Sequence, residues 1–152
     1  MVGNRGFSLF EVIMVIAVIG IVAVFAVPNM MGWQAKTNLG AVATNLKSDL
    51  QMAKMKAIRE NQYVAVSFFP SEGSYEIFVD RYNYFNRDSD EDLVLQRKLP
   101  GHVRIQLTTF TNDCLRFNSR GGAVSGQVQL VNTNGRQRNA SVNQLGKIKL
   151  TE

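Results

Sequence analysis

The chain has 152 residues, which is enough for one domain with a modest core. It contains one cysteine and one histidine, so it can form neither an intrachain disulfide nor a cysteine-rich or polyhistidine metal site. Its 17 basic and 12 acidic residues give a formal net charge of +5.

The chain opens with an apolar segment. From Phe7 to Val27 every residue is apolar or small except Ser8 and Glu11. These 21 residues match the roughly 20 that an α-helix needs to cross a bilayer core. Arg5 lies directly before the segment, which predicts a single-pass anchor with a cytoplasmic N-terminus.

Two simpler interpretations of this segment leave Glu11 unexplained. One is a secretory signal peptide cleaved after Ala26, and the other is a plain membrane anchor. A carboxylate within a membrane span is costly and indicates a function with a partner group.

The residues around Glu11 resemble a known processing signal. Arg5-Gly6 precedes Phe7-Ser8-Leu9-Phe10-Glu11, and the apolar run then leads to Pro28. This arrangement is similar to the type III signal of type IV prepilins and type II secretion pseudopilins. The resemblance implies that residues 1–6 are a leader peptide, that a prepilin peptidase/methyltransferase cleaves between Gly6 and Phe7, and that it methylates the new amine of Phe7.

The resemblance also assigns a role to Glu11 and Pro28, which become the fifth and twenty-second residues of the mature chain. In a filament, the Glu11 carboxylate can pair with the N-terminal ammonium of a neighbouring subunit. Pairing offsets much of the cost of burying either charge. Both residues are therefore expected to serve filament assembly.

Beyond the apolar segment, hydrophobic residues recur every three or four positions, which is typical of one helical face. They are Leu39, Val42, Ala43, Leu46, Leu50, Ala53, Ala57 and Ile58. The charged residues of this region, Lys36, Lys47, Asp49, Lys54, Lys56 and Arg59, mostly fall elsewhere. We predict one helix over residues 7–61, transmembrane over 7–27 and kinked near Pro28; the alternative is two helices with a hinge at residues 28–32.

After residue 61 the pattern changes to that of short strands separated by turns. We expect strands at 63–69, 75–80, 93–98, 103–108, 114–118, 127–131, 139–142 and 147–150. The predicted fold class is therefore α+β and pilin-like: a long N-terminal α-helix, membrane-spanning in its first half, packed on an antiparallel β-sheet head domain over residues 62–152.

Three segments of the head resemble the GspH/FimT group of minor pilins and pseudopilins. They are Ile77–Asp80 with the following polar loop and Leu93–Leu95, Leu115–Asn118 before a glycine-rich turn, and Gly146–Lys149. The resemblance implies a non-enzymatic subunit of a type IV pilus or a type II secretion system. It would have other pilins or pseudopilins as partners, no cofactor, and a location in the bacterial inner membrane with a periplasmic head before it enters the filament.

Charge is unevenly distributed in the head. From Cys114 to Thr151 there are six basic residues and no acidic one: Arg116, Arg120, Arg136, Arg138, Lys147 and Lys149. Such segregation is typical of a polyanion surface, provided that the side chains share a face.

A short motif lies within this basic region. Gly135–Arg138 matches the GRxR pattern with which some FimT-type pilins hold DNA, but in that family the pattern lies at the C-terminus, where this chain has Gly146–Lys149. The alternative function is therefore a tip-located pilin that binds DNA through a basic C-terminal edge during DNA uptake. The simpler interpretation is a solvated edge that discourages sheet pairing.

The acidic loop from Asp88 to Asp92 is a weak candidate for a metal site. Asp88, Asp90 and Asp92 alternate as calcium ligands do, but the glycine and distant glutamate of an EF-hand loop are missing. A solvated turn is the simpler interpretation. Cys114 is expected to be a small buried thiol.

Overall fold

The computed structural model describes residues 8–81 and 91–152, and within the long helix it describes the side chains of residues 8–22 and 38–60. The chain divides into two compact units, Met1–Gln34 and Ala35–Glu152.

One α-helix, α1, runs from Leu9 to Glu60. Its backbone is helical through residues 28–32, where the alternative places a hinge. The helix ends at Asn61, which has a left-handed φ of 52°. The Asn61 amide donates to the Ile58 carbonyl at 3.4 Å and the Gln62 amide donates to the Ala57 carbonyl at 3.2 Å. This pair of bonds is a Schellman motif, which satisfies carbonyls that the helix end would leave unpaired.

Within the first unit, every described side chain of α1 up to Val22 is exposed. Among the described residues, no helix combines the length and the apolar content that crossing a membrane would need. Residue 7 and the side chains of residues 23–27, which complete the predicted span, lie outside the described residues.

The second unit contains eight strands in two antiparallel sheets. The first sheet has the order β3-β2-β1-β5 and the second β4-β6-β7-β8. The strands are β1 (Val64–Phe69), β2 (Ser74–Val79), β3 (Leu93–Lys98), β4 (Val103–Thr108), β5 (Cys114–Phe117), β6 (Gly126–Asn132), β7 (Gln137–Val142) and β8 (Ile148–Thr151).

The predicted fold class is confirmed, with two sheets in place of one. The chain changes sheet three times: between β3 and β4 at Pro100, between β4 and β5 through residues 109–113, and between β5 and β6 at Gly121 and Gly122. Proline lacks the amide that a ladder needs, and glycine permits the sharp turn. The first and third changes therefore fall at residues that interrupt a strand.

Both sheets share one core with the second half of α1. Leu46, Leu50, Ala53 and Ala57 of the helix are at most 1% exposed. They belong to the same buried cluster as residues of both sheets: Val64, Val66, Ile77, Leu115, Val128, Leu130 and Ala140.

One carboxylate interrupts this apolar helix face. Asp49 is 8% exposed, and it is the exception to the prediction that charged residues fall off this face. Tyr75 Oη of β2 donates to Asp49 Oδ2 at 2.5 Å, and Arg97 of β3 donates from Nε at 2.7 Å and from Nη2 to Oδ1 at 3.3 Å. Burial, then the bond to Asp49, raises the pKa of Tyr75, and the bond to Asp49 raises the pKa of Arg97.

Two turns pack closely against the other side of the helix. The Lys54 ammonium donates to the carbonyl oxygens of Leu145 at 3.3 Å and Gly146 at 3.0 Å. A Cβ added at Gly146 would lie 2.0 Å from the Gly121 carbonyl oxygen, and one at Gly121 would lie 2.9 Å from carbons of Lys54 and Ile58. No side chain fits at either glycine without movement of its neighbours.

We expect Gly146→Ala to lower the free energy of unfolding by about 2–5 kcal/mol, through left-handed backbone strain together with overpacking. Gly135→Ala is the matched control, because Gly135 also has a positive φ, of 75°, but nothing lies within 4 Å of its added Cβ. The control should lose only about 1–2 kcal/mol. Urea unfolding of the full chain in detergent, followed by circular dichroism, measures both; equal losses would contradict the close packing of the two turns.

We expect Tyr75→Phe to lower the free energy of unfolding at neutral pH by about 1.5–3 kcal/mol, because it removes a hydrogen bond to a buried carboxylate. The folded state raises the pKa of Tyr75 above its unfolded value of about 10. The protonated Tyr75 phenol therefore contributes its full stabilisation of the folded state below about pH 10, and this contribution is lost as the pH rises further. The fall in stability above about pH 10 should be smaller in Tyr75→Phe than in the exposed-site control Tyr63→Phe. An equal fall in both variants would refute the role of the buried phenol.

Candidate functional site: the assembly helix and the basic edge

Glu11 lies in the first turn of α1. The Ser8 carbonyl accepts hydrogen bonds from the amides of Glu11 at 3.0 Å and Val12 at 3.2 Å, which starts the helix. A carboxylate in the first turn is favoured by the positive end of the helix dipole. The Glu11 side chain is exposed, and so are its apolar neighbours Leu9, at 78%, and Phe10, at 69%.

Between residues 8 and 22, every residue except Ser8 and Glu11 is apolar or glycine. Ile13, Ile16, Ile19 and Val22 are each between 56% and 63% exposed. Such a helix is stable where apolar partners surround it. Apart from Ser8, Glu11 is the one strongly polar side chain described between residues 8 and 22, so it can specify register among otherwise interchangeable contacts.

The other predicted processing and assembly residues are only partly described. Gly6 and Phe7 lie outside the described residues. Pro28 is within the helical backbone, but its side chain lies outside the described set. Cleavage between Gly6 and Phe7 and a kink near Pro28 stay predictions.

The structure divides the six predicted basic residues into separate groups. Arg136 and Arg138 lie at the start of β7, where with Leu39, Gln137 and Glu152 they line a cavity of about 260 Å³. Arg138 Nη2 is 2.7 Å from Glu152 Oε1. The basic region from Cys114 to Thr151 is thus followed directly by a carboxylate, that of Glu152, which partly neutralises this group.

Arg116 is on the first sheet, away from this group. It extends from β5, its side chain is 16% exposed, and its Nη1 is 3.4 Å from Asp80 Oδ2. Its guanidinium carbon also lies 4.7 Å from the centre of the Tyr63 ring. Asp80 is 1% exposed, and a buried carboxylate needs such a cation. Arg120 is exposed in the turn that follows β5.

Lys149 lies on β8, the edge strand of the second sheet, and Lys147 directly precedes this strand; both are exposed. Lys149 is opposite Ser141 of β7. Side chains alternate along a strand, so the Lys149 side chain projects from the face of β8 opposite to the one that carries half-buried Ile148 and Leu150. Arg138 is two residues before buried Ala140, so its side chain projects from the same, core-facing side of β7. The arginine pair at β7 (Arg136 and Arg138) and the lysine pair at β8 (Lys147 and Lys149) thus do not form one continuous basic face.

The acidic loop is described only at its end. Asp88 and Asp90 lie outside the described residues, whereas Asp92 Oδ2 is 2.5 Å from Arg81 Nη2. Glu91 Oε1 accepts a hydrogen bond from the Arg81 amide at 2.8 Å. In the described ranges, no three potential ligands come together as a metal site. Asp92, the one candidate ligand that the structure describes, is the ion-pair partner of Arg81, and a metal site in this loop stays a prediction.

Cys114, the first residue of β5, is buried and lies opposite Ser67 of β1, which confirms the predicted buried thiol. Burial raises the pKa of its thiol. A buried, protonated thiol is a poor nucleophile, so Cys114 serves packing.

Comparison with protein families gives two matches. Residues 42–146, more than half of the chain, match the family described as Type II transport protein GspH. Residues 1–27 match the prokaryotic N-terminal methylation motif.

Among curated proteins, the type IV major pilin protein PilA of Myxococcus xanthus is 34% identical over 85 residues, covering 53% of this chain and 36% of that protein. A fimbrial protein of Pseudomonas aeruginosa is 32% identical over 77 residues, covering 51% of this chain and 49% of that protein. The matched region thus spans about half or less of these curated relatives.

Solved structures share the fold at low sequence identity. The minor pseudopilin EpsH from the type 2 secretion system of Vibrio cholerae is 12% identical with a TM-score of 0.58, covering 75% of this chain and 96% of that chain. The type IV minor pilin FimU of Pseudomonas aeruginosa is 16% identical with a TM-score of 0.62, covering 77% and 90%. The family match and the shared fold agree: the chain belongs to the GspH family of type IV pilin-like subunits, a minor pilin or pseudopilin.

Proposed function

We propose that this subunit is processed between Gly6 and Phe7 and enters its filament through the apolar helix, with Glu11 paired to the N-terminal ammonium of a neighbouring copy or related subunit. The observation that carries the proposal is the exposed Glu11 carboxylate in the first turn of α1, in a segment whose other described side chains up to Val22, apart from Ser8, are not polar. A neighbouring chain supplies both the apolar contacts and the cation that this segment lacks.

The same proposal gives the subunit its place in the cell. Before assembly it resides in the bacterial inner membrane, with a cytoplasmic N-terminus and a periplasmic head, and the family's processing enzyme and other pilins are its partners. The Arg5 charge and the match to the methylation motif support this orientation. The family consists of structural subunits, and we propose no catalytic residue.

We expect Glu11→Ala to leave cleavage intact but to lower incorporation into sheared filaments by at least about tenfold, because a buried charge left without its partner costs about 3–5 kcal/mol. Mass spectrometry of the mature N-terminus, which should begin with methylated Phe7, separates processing from assembly. Glu72→Gln, which removes an exposed carboxylate in the turn before β2, is the control and should assemble normally. Normal incorporation of Glu11→Ala would refute the pairing.

A second candidate function is DNA binding at the edge strand β8. The observation that favours it is the exposure of Lys147 and Lys149, in a stretch from Gly126 to Thr151 that contains no acidic residue. Because Arg138 pairs with Glu152 and Arg116 with Asp80, the exposed cations of the candidate set are Arg120, Arg136, Lys147 and Lys149, and the two lysines are the ones at the edge strand.

If the edge binds DNA, the double variant Lys147→Ala/Lys149→Ala should bind duplex DNA more weakly and should reduce the slope of log K against log salt by about 1.8, that is, about 0.9 for each lost phosphate contact. The control is Lys98→Ala/Arg104→Ala, which removes the same number of positive charges from exposed positions on β3 and β4. Gel shifts of the full chain in detergent at several salt concentrations measure both. Binding that does not depend on salt, or that Lys98→Ala/Arg104→Ala weakens equally, would contradict this function.

A further inference from the structure

The exposed side of the second half of α1 carries a row of large apolar side chains. Met52, Met55 and Ile58 follow one another at intervals of three residues and are 41%, 61% and 41% exposed. They point away from the core-facing row of Leu46, Leu50, Ala53 and Ala57. Together with half-buried Val94 of β3 they form what we call the methionine patch.

Two grooves flank Met55. One, of about 400 Å³, is lined by the methionine patch with Lys56 and Arg59. The other, of about 510 Å³, lies on the side of β8 and is lined by Gln51, Lys54, Met55, Gly146, Lys147 and Ile148. Met55 is therefore a ridge between two depressions, each large enough to receive apolar side chains of a partner.

The rims of the grooves are cationic. Lys54, Lys56, Arg59 and Lys147 line them, and in the described part of the chain no carboxylate does. Lys54 is fixed by its bonds to the Leu145 and Gly146 carbonyls, and Lys56 is 2.6 Å from the Glu60 carboxylate. One acid against four cations leaves this surface with a net positive charge, which favours an acidic occupant.

We propose that the methionine patch binds an amphipathic helix of a partner protein, with an apolar stripe between Met52 and Ile58 and aspartate or glutamate on its flanks. Methionine side chains adapt to irregular apolar partners, and helical ridges fit grooves of this kind. Met52, Met55 and Ile58 lie on α1, whose backbone amides and carbonyls are already paired within the helix, so an extended peptide lying over these three residues would find none to bond with. This inference does not depend on Glu11 or on how the filament assembles.

The test uses the full chain in detergent, labelled with ¹³C at the methionine methyl groups. Two of its six methionines lie in the patch, and Met14 lies in the exposed apolar helix as an internal control. The probe is a synthetic helix of about 18 residues with a leucine stripe and flanking glutamates, long enough to hold helical structure. Its twin carries lysines in place of the glutamates.

We expect the acidic probe to shift the Met52 and Met55 signals saturably while the Met14 signal stays unchanged, and to bind at least about tenfold more tightly than its lysine twin. Met55→Glu should abolish the shift at Met52. Ser48→Glu, an exposed position on the same helix outside the patch, should not.

Three results would overturn the proposal. They are equal binding of the two probes, shifts at Met14 as large as those at Met52 and Met55, and equal loss in Met55→Glu and Ser48→Glu. Concentration-dependent self-association of the chain in sedimentation, abolished by Met55→Glu, would also overturn it by assigning the patch to a second copy.

Discussion

The structure of the head depends on one apolar face of one helix. The two sheets share no hydrogen-bonded strand, and each buries its inner side against the row that runs from Leu46 to Ala57. Burial of apolar surface is the main favourable contribution to such a fold, and here both sheets obtain it from the same segment of α1.

Polar contacts then fix how each sheet lies on that face. On the first sheet, Tyr75 and Arg97 converge on Asp49, so the carboxylate that would otherwise destabilise the core joins three elements. On the second sheet, Lys54 reaches the carbonyls of a turn that has room only for glycine at position 146. Directional bonds of this kind specify one arrangement where apolar contacts alone would accept several.

The core uses one face of the second half of α1, and other described side chains of the helix are exposed. Its first part carries Glu11 among exposed apolar side chains, and its second part carries the methionine patch between cationic rims. The two surfaces differ in chemistry: the first is apolar with a single acid, and the second is apolar with flanking cations. One subunit can therefore contact partners of opposite charge at different points along the same helix.

The sequence by itself determined the long helix, the strand-rich head and the family, because periodicity, turn residues and the junction around Gly6 and Glu11 are local patterns. It also placed Cys114 inside. Only the tertiary structure decided that there are two sheets, that Asp49 is buried with partners from β2 and β3, and that the basic residues do not share a face. Those features depend on which strands pair and on contacts between residues far apart in the chain, such as Arg116 with Asp80, and neither composition nor spacing encodes such contacts.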